Sequence, residues 1–178
     1  DTYEVKQMND YALTKWVNEQ QVLNSAAMTG TESVRVRLFN SYGPGEYYSP
    51  YRSVICLFAY RALHDLPYVV YKNHSRTSIY ISDVVRSLAN ITGNHIPGEV
   101  YNIGGVDFHD IETISSMILK YTGKDDRNVT YSESEIMTTK QKRVDSSKAR
   151  NDLGHQITVN LEEGIANTVE WMKKVYQV

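Results

Sequence analysis

The chain has 178 residues, 41% hydrophobic and 22% charged, enough for a globular protein of one domain or slightly more and too apolar for a disordered or fibrous one. Nineteen Lys and Arg against twenty-one Asp and Glu leave a net charge of -2, scattered along the chain, which excludes the basic footprint of a nucleic-acid binder. Cys56 is the single cysteine, so an internal disulfide framework and a thiolate metal cluster are excluded.

Without a signal segment, and without an apolar run near the roughly 20 residues of a membrane span, the chain reads as cytoplasmic, and Cys56 reads as a buried small hydrophobe. Asn9 or Asp10 caps a predicted helix to about Met28, with Leu13, Trp16, Val17, Gln20, Leu23 and Ala27 near one face. Ser33 to Phe39 alternates as a half-buried strand through Val34, Val36 and Leu38. The turn formers of Asn40-Ser-Tyr-Gly-Pro-Gly45 follow, and Ser49-Pro50 supplies an N-cap and first-turn proline for a helix to about His64.

Extended runs are predicted at Tyr68 to Tyr71 and Thr77 to Ile81, the second ending at Ser82-Asp83, which can cap a helix to about Thr92. Gly98 to Ile103 reads as a strand, and Asp110 caps a helix from Ile111 to Tyr121 that Gly123 stops. A weak strand at Val129 to Tyr131 and a short helix from Asp145 to Leu153, ended by Gly154, come next. Asn160 then caps a last helix with Leu161, Ile165, Val169, Met172 and Tyr176 along one face.

Tyr11-Ala-Leu-Thr-Lys15 puts a phenol and an ammonium one helical turn apart, within reach of one ligand. Free tyrosine holds its proton at neutral pH, and an adjacent cation favours the phenolate a base needs. Fourteen Tyr and ten Lys produce about 0.8 such spacings by chance, and Tyr68-x-x-x-Lys72 is a second one. That one sits in an extended run, where positions four apart are separated by roughly 13 Å, so only Tyr11 has the context for catalysis. Gly43-Pro-Gly45 and Gly104-Gly105 do not complete a phosphate-cradling G-x-G-x-x-G loop and read as turns. The five histidines never reach metal-pair spacing, so no metal is expected. Arg76 could present its fork to a diphosphate, although a solvated surface arginine is the commoner role.

Taken in order, Tyr11-Ala-Leu-Thr-Lys15, Arg37-Leu-Phe-Asn-Ser-Tyr-Gly-Pro-Gly45, Arg76-Thr-Ser-Ile-Tyr-Ile-Ser-Asp83, Tyr101-Asn-Ile-Gly104, Val144-Asp-Ser-Ser-Lys-Ala149 and Leu161-Glu-Glu-Gly-Ile resemble the extended short-chain dehydrogenase/reductases. Within them the chain is similar to the C-terminal portion of the nucleotide-sugar epimerases, 4,6-dehydratases and decarboxylases, over nearly its whole length. The resemblance implies an α/β fold: the C-terminal part of a Rossmann-like extended short-chain dehydrogenase fold with a small mixed α/β substrate-binding lobe. Residues 1–45 would end the Rossmann-like domain, and residues 46–178 would mainly form the lobe, with short segments returning.

By the same resemblance, Tyr11 is the acid/base that takes a proton from the sugar C4 hydroxyl as NAD oxidises it, and Lys15 supports Tyr11 and holds the cofactor ribose. Phe39 lies beside the nicotinamide, Asn40 and Arg76 bind the diphosphate of a nucleotide-diphosphate sugar, and Tyr71 with the Val69 backbone lies near the base. Lys142 or Arg143 reaches the nucleoside, where the usual approach to the terminal lobe is replaced by Ile136 to Arg143. All these enzymes pass through a 4-keto sugar, and 4-epimerisation is slightly favoured because it needs only sugar rotation and return of the hydride. Only ten residues precede Tyr11, so the N-terminal dinucleotide-binding half is expected to be absent and to be required in cis or in trans. The chain alone is then expected to be inactive, with an exposed apolar helix face and a homodimer through the Tyr11 helix. The alternative is a non-catalytic truncated homologue that binds nucleotide sugar or pairs with a full-length family member.

Overall fold

The computed structural model describes residues 9–134 and 137–178. In chain order these form α1 (Asp10–Thr29), β1 (Arg35–Leu38), β2 (Ser41–Tyr42), α2 (Val54–Leu63), β3 (Tyr68–Tyr71), β4 (Ser75–Thr77), β5 (Ile79–Tyr80) and α3 (Ile81–Asn94). There follow β6 (Val100–Ile103), β7 (Phe108–Asp110), α4 (Ile111–Thr122), β8 (Val129–Ser132), β9 (Gln141–Lys142), α5 (Ser147–Leu153) and α6 (Leu161–Tyr176). The pairs β1–β6, β2–β5 and β3–β8 are parallel, with Val36 opposite Tyr101 and Tyr68 opposite Val129. A three-stranded sheet has β4 at its centre, antiparallel to β7 and parallel to β9.

Local capping chemistry sets most helix ends. Asn9, Asp110 and Asn160 accept hydrogen bonds from Ala12 N, Thr113 N and Glu163 N, each satisfying a donor that the first helical turn leaves open. Gly30, Gly123 and Gly154 close α1, α4 and α5 in the left-handed conformation.

Two buried apolar clusters result. One packs Ile55 and Phe58 of α2, Tyr68 of β3, Ile114 and Ile118 of α4, and Ile165, Val169 and Met172 of α6. The other packs Ile79, Val84, Tyr101, Ile103, Ala149 and Leu153, flanked by Val34 and Val36. Burying each aliphatic side chain of this size contributes about 1.5–3 kcal/mol, so the clusters hold β1–β6 against α3 and α5, and β3–β8 against α2, α4 and α6. The helix α1 has no buried residue, and Leu13, Trp16, Val17 and Val22 face solvent. It is tied down by Glu19, whose carboxylate accepts two 2.6 Å hydrogen bonds from the Arg37 guanidinium on β1. That hydrogen bonding, with the nearby charges of Arg37 and Arg35, outweighs partial burial and holds the Glu19 carboxyl below its ordinary range.

Several elements differ from the sequence expectation. The second helix begins at Val54, capped by Ser53 rather than Ser49, because Glu46 accepts both Ser53 N and Ser53 Oγ and anchors the preceding loop. The predicted run Thr77 to Ile81 divides into β4 and β5, and α3 starts at Ile81. Asp83 therefore lies inside the first turn and caps nothing. Its fully buried carboxylate accepts from Thr158 N at 2.9 Å, Thr158 Oγ1 at 2.6 Å and Val159 N at 3.2 Å. Leu38 is exposed rather than half-buried. Cys56 is buried as expected. Among the described residues no helix is long and apolar enough to cross a membrane, and no group of His, Cys, Asp and Glu could hold a metal ion.

Candidate functional site

The parallel pair β1–β6 ends with Phe39 and Asn40 following one strand and Gly104 following the other, and ligands of α/β sheets bind outside the carboxyl ends of such strands. A Cβ on Gly104 would lie 3.1 Å from Phe39 Cβ and 2.6 Å from Val144 Cγ1, and one on Gly105 would run into the carbonyl oxygen of Ser78. These two glycines do not make the turn read from the sequence: neither has a positive φ, and what they permit is close packing of three chain segments. Buried His155 reinforces the same point, its Nε2–H donating to Gly104 O at 2.9 Å and its Nδ1 lying 2.7 Å from Ser87 Oγ.

Asn40 adopts φ 46°, a left-handed conformation that asparagine tolerates better than most residues. Its Nδ2 donates to Thr77 O at 2.8 Å and its own carbonyl accepts from Ile79 N at 3.3 Å, so Asn40 is stitched to both sides of Ser78. Arg76, on the central strand β4, is buried at 8% exposure and is not the solvated surface arginine that is commonest. Its Nη1 donates to Ser75 O and Lys140 O, both at 2.9 Å, and its Nη2 donates to His74 Nδ1 at 3.3 Å. Asn40 and Arg76 line one narrow pocket together with Ser53, Val54, Ser78 and Ile111. The two residues assigned to the diphosphate by resemblance are thus brought together.

Tyr71 at the end of β3 has its ring 5.9 Å from that of His74, two residues before Arg76. Arg143 holds its guanidinium carbon 5.0 Å from the Phe108 ring centroid, and Phe108 pairs with Thr77 beside Arg76. Lys142 pairs with Arg76 in the sheet. Ile136 lies outside the described residues. Tyr11 and Lys15 stand on the first turns of α1, with Tyr11 71% exposed and Lys15 Nζ 5.4 Å from the centroid of its ring. The helix start reaches the segment that holds Arg76 where Asn9 Nδ2 donates to Met137 O at 3.2 Å, three residues before the carbonyl of Lys140. The sequence reading missed His74 and Ser53. His74 precedes an arginine by two positions, a spacing at which strand side chains share a face, and that was the available signal.

Comparison with known proteins places this geometry. The NAD dependent epimerase/dehydratase family matches residues 1–104. The chain is 27% identical over 180 residues to UDP-N-acetyl-alpha-D-glucosaminuronate decarboxylase of Bacillus cytotoxicus, covering 93% of this chain and 53% of the relative. It is 28% identical over 165 residues to dTDP-glucose 4,6-dehydratase of an Actinoplanes species, covering 92% and 51%. The structure of UDP-glucuronic acid 4-epimerase from Bacillus cereus, in complex with UDP-glucuronic acid and NAD, superposes with a TM-score of 0.85 at 26% identity, over 99% of this chain and 58% of that one. The α/β class and Rossmann-like affiliation implied by the resemblance hold, and the chain spans about half the length of the curated relatives it matches.

Proposed function

The chain belongs to the NAD dependent epimerase/dehydratase family, and on that premise we propose that it carries the acid/base helix and the substrate lobe of an enzyme that oxidises the C4 hydroxyl of a nucleotide-diphosphate sugar. The observation that carries the reading is the meeting of Asn40 and buried Arg76 in one pocket at the carboxyl end of β1. An amide N–H donor and a fixed guanidinium fork suit a diphosphate, the fork by paired hydrogen bonds. Tyr71, whose ring stands 5.9 Å from that of His74, and Arg143, over the Phe108 ring, are assigned to the nucleoside.

Tyr11, Lys15 and Phe39 fit the nicotinamide-ribose end of NAD, since a phenol and an ammonium are exposed on one helix face and Phe39 ends a parallel strand. When bound, NAD supplies the oxidant for the sugar alcohol. The Tyr11 phenolate oxygen takes the C4 hydroxyl proton and later returns it, and the Lys15 ammonium stabilises the charge that this oxygen carries. Among the outcomes open to a 4-keto sugar we favour 4-epimerisation, which needs only rotation of the sugar and return to the opposite face. Residues 1–45 belong, in this reading, with the dinucleotide-binding part, supplied in cis or in trans. The exposed Leu13, Trp16 and Val17 support pairing of two copies through α1.

The test is turnover of UDP-glucuronic acid with NAD, the dinucleotide-binding half being supplied in cis or in trans. Tyr11→Phe should lower turnover by about 10²–10⁴-fold, the usual contribution of a positioned acid/base, with UDP affinity unchanged. Turnover equal to wild type would remove Tyr11 from the role.

A further inference from the structure

Glu19 follows Lys15 by one helical turn on α1, and it is where that helix meets β1. The contact has two points. Arg37 Nε donates to Glu19 Oε1 and Arg37 Nη2 to Glu19 Oε2, both at 2.6 Å, so the planar fork and the planar carboxylate fix each other's separation and plane. Arg35, on the same face of β1, holds its Nη1 4.0 Å from Glu19 Oε2, and its Nη2 donates to Gly98 O at 2.8 Å, which ties the pair to the segment entering β6. The opposite face of β1 directs Val36 into the second apolar cluster, whereas α1 contributes no residue to either cluster. Within this chain, interlocked side chains therefore do not set the register of α1 on β1.

We propose that Glu19 and Arg37 are positioning residues whose paired hydrogen bonds set how far α1 reaches past the end of β1, and so where the Tyr11 hydroxyl stands relative to Phe39 and Asn40. The inference rests on the reading of Tyr11 as the acid/base. The register follows from chain geometry. Residues 30–34 turn the chain back from α1 into β1, so the start of the helix lies at the carboxyl end of the strand. Tyr11 comes eight residues before Glu19, about 12 Å along a helix rising about 1.5 Å per residue. Phe39 and Asn40 come two and three residues after Arg37, about 7–10 Å along a strand. The two spans nearly match. Asn9 stands at that same end, donating to Met137 O on the segment whose Lys140 carbonyl holds Arg76. A slide of α1 by about 1 Å would carry the phenol the same distance from a sugar held by the lobe, and a misplacement of that size costs about 10²-fold in rate.

The variants are Arg37→Lys, which keeps the charge and loses the fork, and Glu19→Gln, which keeps the shape and loses the charge. Turnover of UDP-glucuronic acid with NAD is read with the dinucleotide-binding half supplied in cis or in trans, beside UDP affinity. The third reading is the distance between nitroxide labels on α1 and α5 of the chain itself, attached in an Asn18→Cys, Arg150→Cys background where buried Cys56 stays unlabelled. α5 serves as the reference because Ala149 and Leu153 share a cluster with β6. Each variant should lower kcat by about 10–100-fold, keep UDP affinity within about twofold of wild type, and shift the label distance by about 1 Å or more. Lys120→Met, which breaks the exposed ion pair with Glu162 in the lobe, should change none of the three. Wild-type turnover in either folded variant, with Tyr11→Phe inactive, overturns the positioning role and leaves the acid/base reading intact. Lost turnover at an unchanged label distance, or with an equal loss of UDP affinity, overturns the role as well, and so does failure of both variants to fold, which would mark the pair as a folding tie. A Tyr11→Phe variant as active as wild type, or no turnover by the unmodified chain with its complementing half, overturns the acid/base reading and this inference with it.

Discussion

Removing the Asp83 carboxylate should unfasten α3 from the segment that leads into α6. Three donors, Thr158 N, Thr158 Oγ1 and Val159 N, converge on this fully buried group, and Arg86 Nη1 approaches at 3.2 Å. Each donor left without its charged acceptor costs about 1 kcal/mol or more, so Asp83→Ala should lose about 3 kcal/mol. Asp83→Asn, which keeps one acceptor oxygen but turns an NH₂ toward donors, should lose about 1–2 kcal/mol. With a urea dependence of about 2 kcal/mol/M, the alanine variant's midpoint should fall by about 1.5 M, followed by the fluorescence of Trp16 and Trp171. Burial pushes the Asp83 carboxyl up, but the hydrogen bonds from Thr158 and Val159 and the charge of Arg86 outweigh it and leave the group below its ordinary range. A depressed carboxyl contributes stability that is complete above the unfolded-state value, near pH 4, and is lost as pH falls through the lower folded-state value. The gap between wild type and Asp83→Asn should therefore be equal at pH 7 and pH 5.5 and narrower at about pH 3. A loss below 1 kcal/mol in Asp83→Ala, or a gap that widens in acid, would refute this account of the buried carboxylate.

One chemical probe and one further substitution check the packing. Burial, reinforced by the Glu46 charge, pushes the Cys56 thiol up to about 12, so iodoacetamide at pH 8 should label it only as fast as the chain unfolds, and rapid labelling of the native protein would contradict its place in the core. Gly105→Ala should cost about 1–3 kcal/mol in urea unfolding, because the added methyl meets the Ser78 backbone and not a side chain that can swing away; a neutral effect would mean that the segments are not in contact.

What was legible in the sequence was local. Asn9, Asp110, Asn160, Gly123 and Gly154 act on groups within five residues of themselves, and each helix end they mark is where pattern reading puts it. Asp83 shows the opposite case. Its identity suits a cap, and only its distant partners Thr158 and Val159 reveal that it is a buried tie. Ser49 loses the capping role to Ser53 for a similar reason, since Glu46 reaches over the loop to seize the later serine. In the site, the order of motifs drew attention to Asn40 and Arg76, but that they share a pocket depends on the β4–β9 pairing and on Asn40 bonding Thr77. The His74–Arg76 bond was hidden by the ordinary look of a histidine in a loop. Leu38 belongs to an alternating pattern, and nothing local says whether anything covers its outward face.

The parallel pairings also set a timetable. Arg35 meets Val100, Ser41 meets Ile79 and Tyr68 meets Val129, so each of these ladders closes a loop containing at least one whole helix before its first hydrogen bond forms. Contacts of such long sequence separation make folding slow, because chain entropy is lost before pairing repays it. On a ribosome adding about 5–20 residues per second, β1 emerges and waits several seconds for β6 to exist. During that interval its neighbour α1, none of whose residues is buried against the rest of this chain, leaves Leu13, Trp16 and Val17 open to chaperones or to another nascent copy.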